Sequence, residues 1–296
     1  MGKTTGIKWT DHTFNAWIGC TKISPGCDNC YAEELDQRFY DGEHWGKGSP
    51  RRVMADKYWK EPLKWNKEAR DEGRRHRVFC SSLADVFDHE APEGQRERLW
   101  QLIKDTPGLD WQLLTKRPEN FKRFLPSDWT TYYRAGGYYP NVWLGVTVED
   151  QDRARKRIPM LAEQPAALRF LSCEPLLEEV DLTKWLYDEH TVSCERYAKP
   201  TGTIHWVIVG GESGRSARVC QTAWMARIVE DCQKAEVAVF VKQLGSRCAS
   251  GRVVCGEFSL LQNKTEYKPL LVRLKDKKGG DFDEFPQYLK VREFPR

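Results

Sequence analysis

Residues 18–32 read Ile18-Gly19-Cys20-Thr21-Lys22-Ile23-Ser24-Pro25-Gly26-Cys27-Asp28-Asn29-Cys30-Tyr31-Ala32. Three thiols fall within eleven residues, after an apolar strand-like run at 14–18 and before a helical pattern at 31–40. Cys27 and Cys30 form a CxxC, short enough for both sulfurs to reach one metal centre, and Pro25-Gly26 can turn the chain so that Cys20 joins them. A strand, a loop of reactive residues and a helix, in that order, form the unit of a parallel α/β fold.

The same unit recurs down the chain. Further β-rich runs lie at 78–81, 111–115, 142–147, 168–172, 205–209 and 237–241, several of them apolar throughout, as strands buried on both faces are. Helical patterns at 94–105, 119–124, 150–162 and 222–235 fall between them, and in the last Met225, Ile228, Val229 and Cys232 mark one face. The expected fold is α/β, a partial (β/α) barrel of about six or seven parallel strands with right-handed crossovers. The expected organisation is a barrel over 1–245, a basic aromatic insertion at about 42–77, and a C-terminal extension over 246–296 packed on the barrel. Stretches 245–256 and 275–283 read as loops.

Polar residues follow nearly every strand: Cys20, Ser81-Ser82, Thr115-Lys116-Arg117, Thr147 and Glu149, Ser172 and Glu174, Gly210-Gly211-Glu212, Lys242-Gln243. In a (β/α) barrel the active site gathers at these C-terminal ends. Gly210 to Gly214 could bring backbone close to a ligand, but it lacks the lysine and spacing of a P-loop, and a tight strand-to-helix turn would read the same.

Thiolates at this spacing suit an iron–sulfur cluster, and three of them leave one iron of a four-iron cluster open. A structural zinc site takes four ligands, for which His12 and His44 are available, and a redox CxxC would leave Cys20 unexplained. Cys173, Cys194, Cys220, Cys232, Cys248 and Cys255 show no ligand spacing. The chain of 296 residues has no apolar run long enough for a membrane span and no apolar signal region, so a reducing cytoplasm is expected and the ten cysteines are not read as disulfides.

Net charge is +4, and residues 47–77 hold eleven Lys or Arg against five Asp or Glu, with Tyr58, Trp59 and Trp65 among them. Such a mixture can neutralise phosphates and stack bases, or simply form a solvated basic face. The twelve Trp and eleven Tyr suit a nucleobase pocket or a core equally.

The segment ending Cys30-Tyr31-Ala32 resembles the cluster loop of radical S-adenosylmethionine enzymes, with six residues rather than three between its first two cysteines. Segments 78–87, 113–118, 144–149, 170–175 and 207–214 resemble a phage- and prophage-borne family of such proteins, over about residues 9–295. Their order is also similar to that of spore photoproduct lyase, which repairs a thymine lesion. The resemblance implies a radical-SAM type of barrel with a [4Fe–4S] cluster on Cys20, Cys27 and Cys30, and S-adenosyl-L-methionine as cosubstrate. It implies Tyr31 beside the adenine, Ser81 with Ser82 and Lys116 around the cosubstrate, Thr147 as a fourth-strand hydroxyl, and Cys80 as donor of hydrogen to a substrate radical. Read from the residues alone, Cys80 is equally a small core residue, and Lys116 with Arg117 could bind a substrate phosphate instead. Gly210, Gly211 and Glu212 join the cosubstrate-binding set.

The expected activity is formation of a 5′-deoxyadenosyl radical that abstracts hydrogen from a nucleic acid or nucleotide. The most specific expectation is rearrangement of an amino-acid-modified thymidine in phage DNA, in the host cytoplasm, with an external donor such as flavodoxin or ferredoxin. The rival expectations are a non-radical nucleic-acid-binding protein with a zinc or inert cluster site, and a radical enzyme acting on a small metabolite or peptide. Loops 42–50 and 187–203 are expected to close the barrel mouth.

Overall fold

The structure is a computed structural model and describes residues 5–129, 139–187, 203–250 and 270–295. Seven strands make one sheet: β1 (His12–Phe14), β2 (His76–Cys80), β3 (Leu109–Thr115), β4 (Val142–Thr147), β5 (Leu168–Cys173), β6 (Trp206–Gly210) and β7 (Ala238–Gln243). All pairings are parallel and the strands stand in chain order, so the sheet curls into a half-barrel. The connections carry α1 (Tyr31–Tyr40), α2 (Asp56–Trp59), α3 (Glu61–Asp71), α4 (Gln95–Asp105), α5 (Phe121–Phe124), α6 (Gln151–Ala162), α7 (Thr183–Leu186) and α8 (Thr222–Lys234). No helix among the described residues is long and apolar enough to cross a membrane.

The first strand differs from its sequence reading. It ends at Phe14, because the buried Asn15 turns its amide to the loop after β2: Leu83 N–H donates to its Oδ1 at 2.7 Å and its Nδ2 donates to Ser82 Oγ at 3.1 Å. Trp17–Ile18 then pairs antiparallel with Arg52–Val53, which fixes where the cysteine loop begins. Part of the stretch read as a loop at 245–256 is a strand, Cys248–Ser250, parallel to Cys220–Gln221; residues 251–256 lie outside the described residues.

Period-two alternation sorts the strand side chains into two layers. Val78, Cys80, Leu113, Leu144, Val146, Cys173, Val209 and Val241 pack with helix residues such as Leu99, Ile103, Ile158 and Ile228 in the main core. Their alternates Phe79, Phe170, Trp206, Ile208 and Phe240 join Trp9 in a second cluster inside the curl. Gly145 is required there, because a Cβ would overlap the Phe170 ring. The open edge at β7 is covered by the C-terminal tail: Val241 N–H donates to Val291 O at 3.0 Å and Glu293 N–H to Val239 O at 2.9 Å. Phe294 seals this floor against Trp206, with ring centroids 5.7 Å apart. A sheet edge so covered offers no template for pairing with another chain.

Candidate functional site

Above the aromatic floor lies a cavity of ≈ 810 Å³ at the C-terminal ends of the strands. Inward-facing residues from five strands or their ends line it: Thr13, Ser81, Thr147, Ser172 and Lys242. Cys20, Cys27 and Cys30, all partly exposed and unpaired, form part of the same wall. The volume falls within the roughly 300–1,000 Å³ of small-molecule and cofactor sites.

The cysteine loop is held from three sides. Arg117, from the end of β3, donates through Nη1 to Cys20 Sγ at 3.4 Å and through Nη2 to Thr21 O at 2.6 Å, while Asp85 accepts from the same guanidinium at 3.1 Å. Glu212, after β6, accepts from Asn29 Nδ2 at 3.0 Å and from Arg218 Nη2 at 2.6 Å. Arg218 reaches on to Pro25 O at 2.9 Å. Gly26 lies against the buried Glu149 so closely that a Cβ would stand 3.1 Å from its carboxylate. Glu149 in turn pairs with Arg157 at 2.6 Å.

Charge around the thiols is mixed, with Lys116, Arg117 and Arg218 set among Asp85, Glu149 and Glu212. Burial pushes the Cys20 thiol up to about 12 although the Arg117 guanidinium acts the other way. Burial likewise raises the Cys30 thiol. Burial works against the Lys116 ammonium, yet Cys27, Glu149 and Cys30 hold it above its ordinary value. Thiols held in the neutral form by burial are ionised when a metal replaces the proton.

Most residues expected at the site meet at this cavity. Tyr31, Ser81, Ser82, Lys116, Thr147, Gly211 and Glu212 all line it. Tyr31 Oη donates to Ser82 O at 2.5 Å, which sets its ring on the mouth. Cys80 and Gly210 do not belong to the wall. Strand alternation turns Cys80 to the helix side, where it is fully buried in the main core, its Sγ 3.3 Å from Ser81 Oγ. Gly210 packs under Glu174 and Gln243. Glu212 lines the cavity as part of the Arg218 latch on the cysteine loop, a use its sequence position gives no hint of.

Sequence reasoning passed over Arg218, Asp85 and Asn29, which are remote from the thiols in the chain or unremarkable beside them. Their signal is tertiary. Loop 42–50 is tied down as a wall: Gly46 N–H donates to Cys20 O at 2.9 Å, Gly48 N–H to Glu90 Oε1 at 2.8 Å, and Trp45 faces the cavity. Of loop 187–203, residues 188–202 lie outside the described residues, as do Cys194 and Cys255.

The basic stretch is largely consumed by the fold. Arg51 is buried between Asp88 at 3.0 Å and Glu90 at 2.7 Å, and also donates to three backbone carbonyls. Trp59 is core, Tyr58 stacks on Phe14, and Trp65 stacks on His12. Lys64, Lys67, Arg74, Arg75 and Arg77 have carboxylate partners. Lys47, Arg52, Lys57, Lys60 and Arg70 are exposed as well. His44, offered by the sequence as a zinc ligand, is engaged by Asp36 at 2.8 Å, and His12 faces His76 at the other end of the sheet.

A protein family described as "Protein of unknown function (DUF5131)" matches residues 4–285. No curated protein and no solved structure matches.

Proposed function

From a chain that belongs to the DUF5131 family, and from the geometry of its thiol-lined cavity, we propose a radical S-adenosylmethionine enzyme with a radical-SAM type of half-barrel. Cys20, Cys27 and Cys30 would hold a [4Fe–4S] cluster. The observation that carries the reading is the spread of the three sulfurs around one cavity. Among the described residues, the trio of His, Cys, Asp or Glu ligand atoms lying within 4.8 Å of one another is His12, Glu68 and His76, so the three cysteine sulfurs do not all lie that close. Thiolates on one tetrahedral zinc stand about 3.8 Å apart, from Zn–S bonds of about 2.3 Å. Ligands of a multi-iron cluster sit on separate irons and need no such convergence. Lys116 would offset the negative charge of such a centre, and Arg117, itself paired with Asp85, would donate to Cys20 Sγ.

Bound there with S-adenosylmethionine and reduced by an external flavodoxin or ferredoxin, the cluster supplies one-electron cleavage of the sulfonium and a 5′-deoxyadenosyl radical. The chain supplies position and shelter. Tyr31 offers a ring at the mouth for the adenine, and Ser81, Ser82 and Lys116 offer donors for the methionine carboxylate. Thr147 and the latched Gly211-Glu212 turn border the remaining space. The aromatic floor of Trp9, Phe79 and Trp206 excludes water from below. The resemblance makes Cys80 the hydrogen donor; a thiol turned to the helix layer fits packing better, and Cys80→Ala separates the two. Altered or stalled product with normal 5′-deoxyadenosine supports the donor role, and unchanged product removes it.

The proposed substrate is a nucleic acid or nucleotide, and most specifically an amino-acid-modified thymidine in phage DNA that undergoes rearrangement. Arg38 and Lys278 on the cavity rim suit a phosphate-bearing substrate, beside Lys22, which pairs with Glu33 at 2.7 Å. The test is anaerobic reconstitution with iron and sulfide, followed by mass spectrometry of modified phage DNA incubated with protein, cosubstrate and reductant. The expected result is 5′-deoxyadenosine plus a DNA nucleoside of altered structure. Zinc in place of iron with no reconstitution would overturn the radical reading, and 5′-deoxyadenosine with unaltered DNA would overturn the substrate.

A further inference from the structure

At the N-terminal end of the sheet, opposite the cavity, His12 opens β1 and His76 opens β2. His12 Nε2 stands 3.0 Å from His76 Nδ1, and His76 Nε2 stands 3.0 Å from Glu72 Oε2. Helix α3 lies over the pair. Trp65 and Glu68 fall at i and i+3 on one face of it, and Glu72, its C-cap, follows one turn on. Trp65 stacks on His12 with ring centroids 4.4 Å apart and planes within 4°. Glu68 brings a carboxylate oxygen to within 4.8 Å of a ring nitrogen on each histidine. The proposed radical chemistry uses none of these residues.

We propose that His12, His76 and Glu68 bind one divalent transition metal of the zinc type, as a structural site independent of the cysteine loop. Two imidazoles and a carboxylate form a donor set suited to zinc and its neighbours, whereas magnesium and calcium prefer oxygen alone. The hydrogen-bond chain sets the tautomers. His76 Nε2–H donates to Glu72, which leaves a lone pair on Nδ1 directed at His12. In the metal-free chain the proton between the rings sits on His12 Nε2; when the cation takes its place, His12 shifts to the Nδ1–H tautomer and stays a neutral imidazole, with no net proton released. Zn–N bonds of about 2.0–2.1 Å at a tetrahedral angle separate two nitrogens by about 3.3 Å, so the rings part by only a few tenths of an ångström.

The Glu72 contact is the support that metal-bound histidines characteristically have, a carboxylate on the far ring nitrogen that fixes orientation and raises basicity. Asp11 adds negative charge nearby, opposed by Arg74, which pairs with both Asp11 and Glu72. Glu68 is exposed, so a water can take the fourth position. The consequence is mechanical. β1 is a three-residue strand at the sheet edge, and it leads into the cysteine loop. A metal here would staple β1, β2 and α3 together at the face of the barrel where stability residues gather.

The test is a zinc titration of the full-length chain carrying Cys20→Ser, Cys27→Ser and Cys30→Ser, with bound metal counted by mass spectrometry after gel filtration. One equivalent is expected, with a melting temperature that climbs with free zinc, as for any ligand of the native state. Cobalt in its place should give d–d bands without thiolate charge transfer. Glu68→Gln, on the exposed helix face, should weaken zinc binding while leaving the metal-free melting temperature unchanged, so misfolding cannot mimic the loss. Glu72→Gln should weaken binding by about 10–100-fold, the usual effect of removing such a support. If the triple variant does not fold, the cluster-loaded wild-type chain is titrated and zinc is counted against iron. No zinc retained at micromolar concentration, or equal retention in the parent, Glu68→Gln and His76→Gln chains, would overturn the site and leave a hydrogen-bond chain alone. Iron loading is a separate measurement, so failure here leaves the cluster proposal standing, and the reverse holds too.

Discussion

The cysteine loop and the basic stretch that follows it both look functional in sequence, and the fold treats them in opposite ways. The loop keeps its reactive groups on a cavity wall and spends surrounding polar residues on holding it there. The basic stretch turns its aromatics into the core and its best-placed arginine into a clamp on that same loop, since Arg51 donates to the hydroxyl of Thr21 at 2.7 Å. Position relative to the strands explains the difference. Residues at a strand's C-terminal end meet an open mouth, whereas a segment wrapped outside β1 must satisfy its buried groups locally. A charge run is therefore weaker testimony than a few ligating residues at a strand end.

The comparison breaks first at the cysteines. Cys20→Ala, Cys27→Ala and Cys30→Ala should each abolish or sharply reduce iron–sulfur absorbance after anaerobic reconstitution. Neutralising Lys57 and Lys60 should leave that absorbance unchanged. Equal absorbance in the cysteine and lysine variants would mean that the loop holds no cluster.

Next in size is thiol reactivity. With Cys20 raised to about 12 by burial, thiolate at pH 8 is about a thousandfold scarcer than for a thiol at the ordinary value of 9.0. Alkylation of Cys20 in the metal-free chain should climb with pH toward 12 instead of levelling off near 9, read by peptide mass spectrometry. The linked stability has a definite sign. The folded chain holds that proton more tightly than the unfolded one, so this contribution is full below pH 9 and is lost as pH rises toward 12.

Arg51→Ala should then cost about 3–5 kcal/mol in urea denaturation, because it strands Asp88 and Glu90 without their partner. A cost near zero would return Arg51 to the exposed basic face. Glu212→Gln removes the charge that holds Arg218 and should cost about 1–3 kcal/mol. It should also speed alkylation of Cys27 and Cys30 as the loop loosens.

The smallest effect belongs to Arg52, Lys57 and Lys60. Neutralising all three should leave the unfolding midpoint in place. If the exposed remnant of the stretch follows a nucleic acid, the salt slope of DNA binding falls by up to about 0.9 per lost phosphate contact. An unchanged slope would leave a solvated basic face.

Much of this molecule was legible in the sequence. Six of the seven strands and helices α1, α4, α6 and α8, with their chain order, follow from apolar runs and helical periods, which are properties of neighbouring residues; the place of β1 and helix α3 do not. The buried face of α8 falls on Met225, Ile228, Val229 and Cys232, the residues that the period marks. That polar residues follow the strand ends could be read as well, and most of those residues do line one cavity. Tertiary structure alone decided what lies across the chain. Which alternate faces inward separates Ser81, on the cavity, from Cys80 beside it in the core, and that choice depends on how the whole sheet curls. Arg218 meets the cysteine loop from 190 residues away, and His12 meets His76 across 64. Such meetings are set by parallel pairing of strands that are distant in sequence, and no local pattern records them.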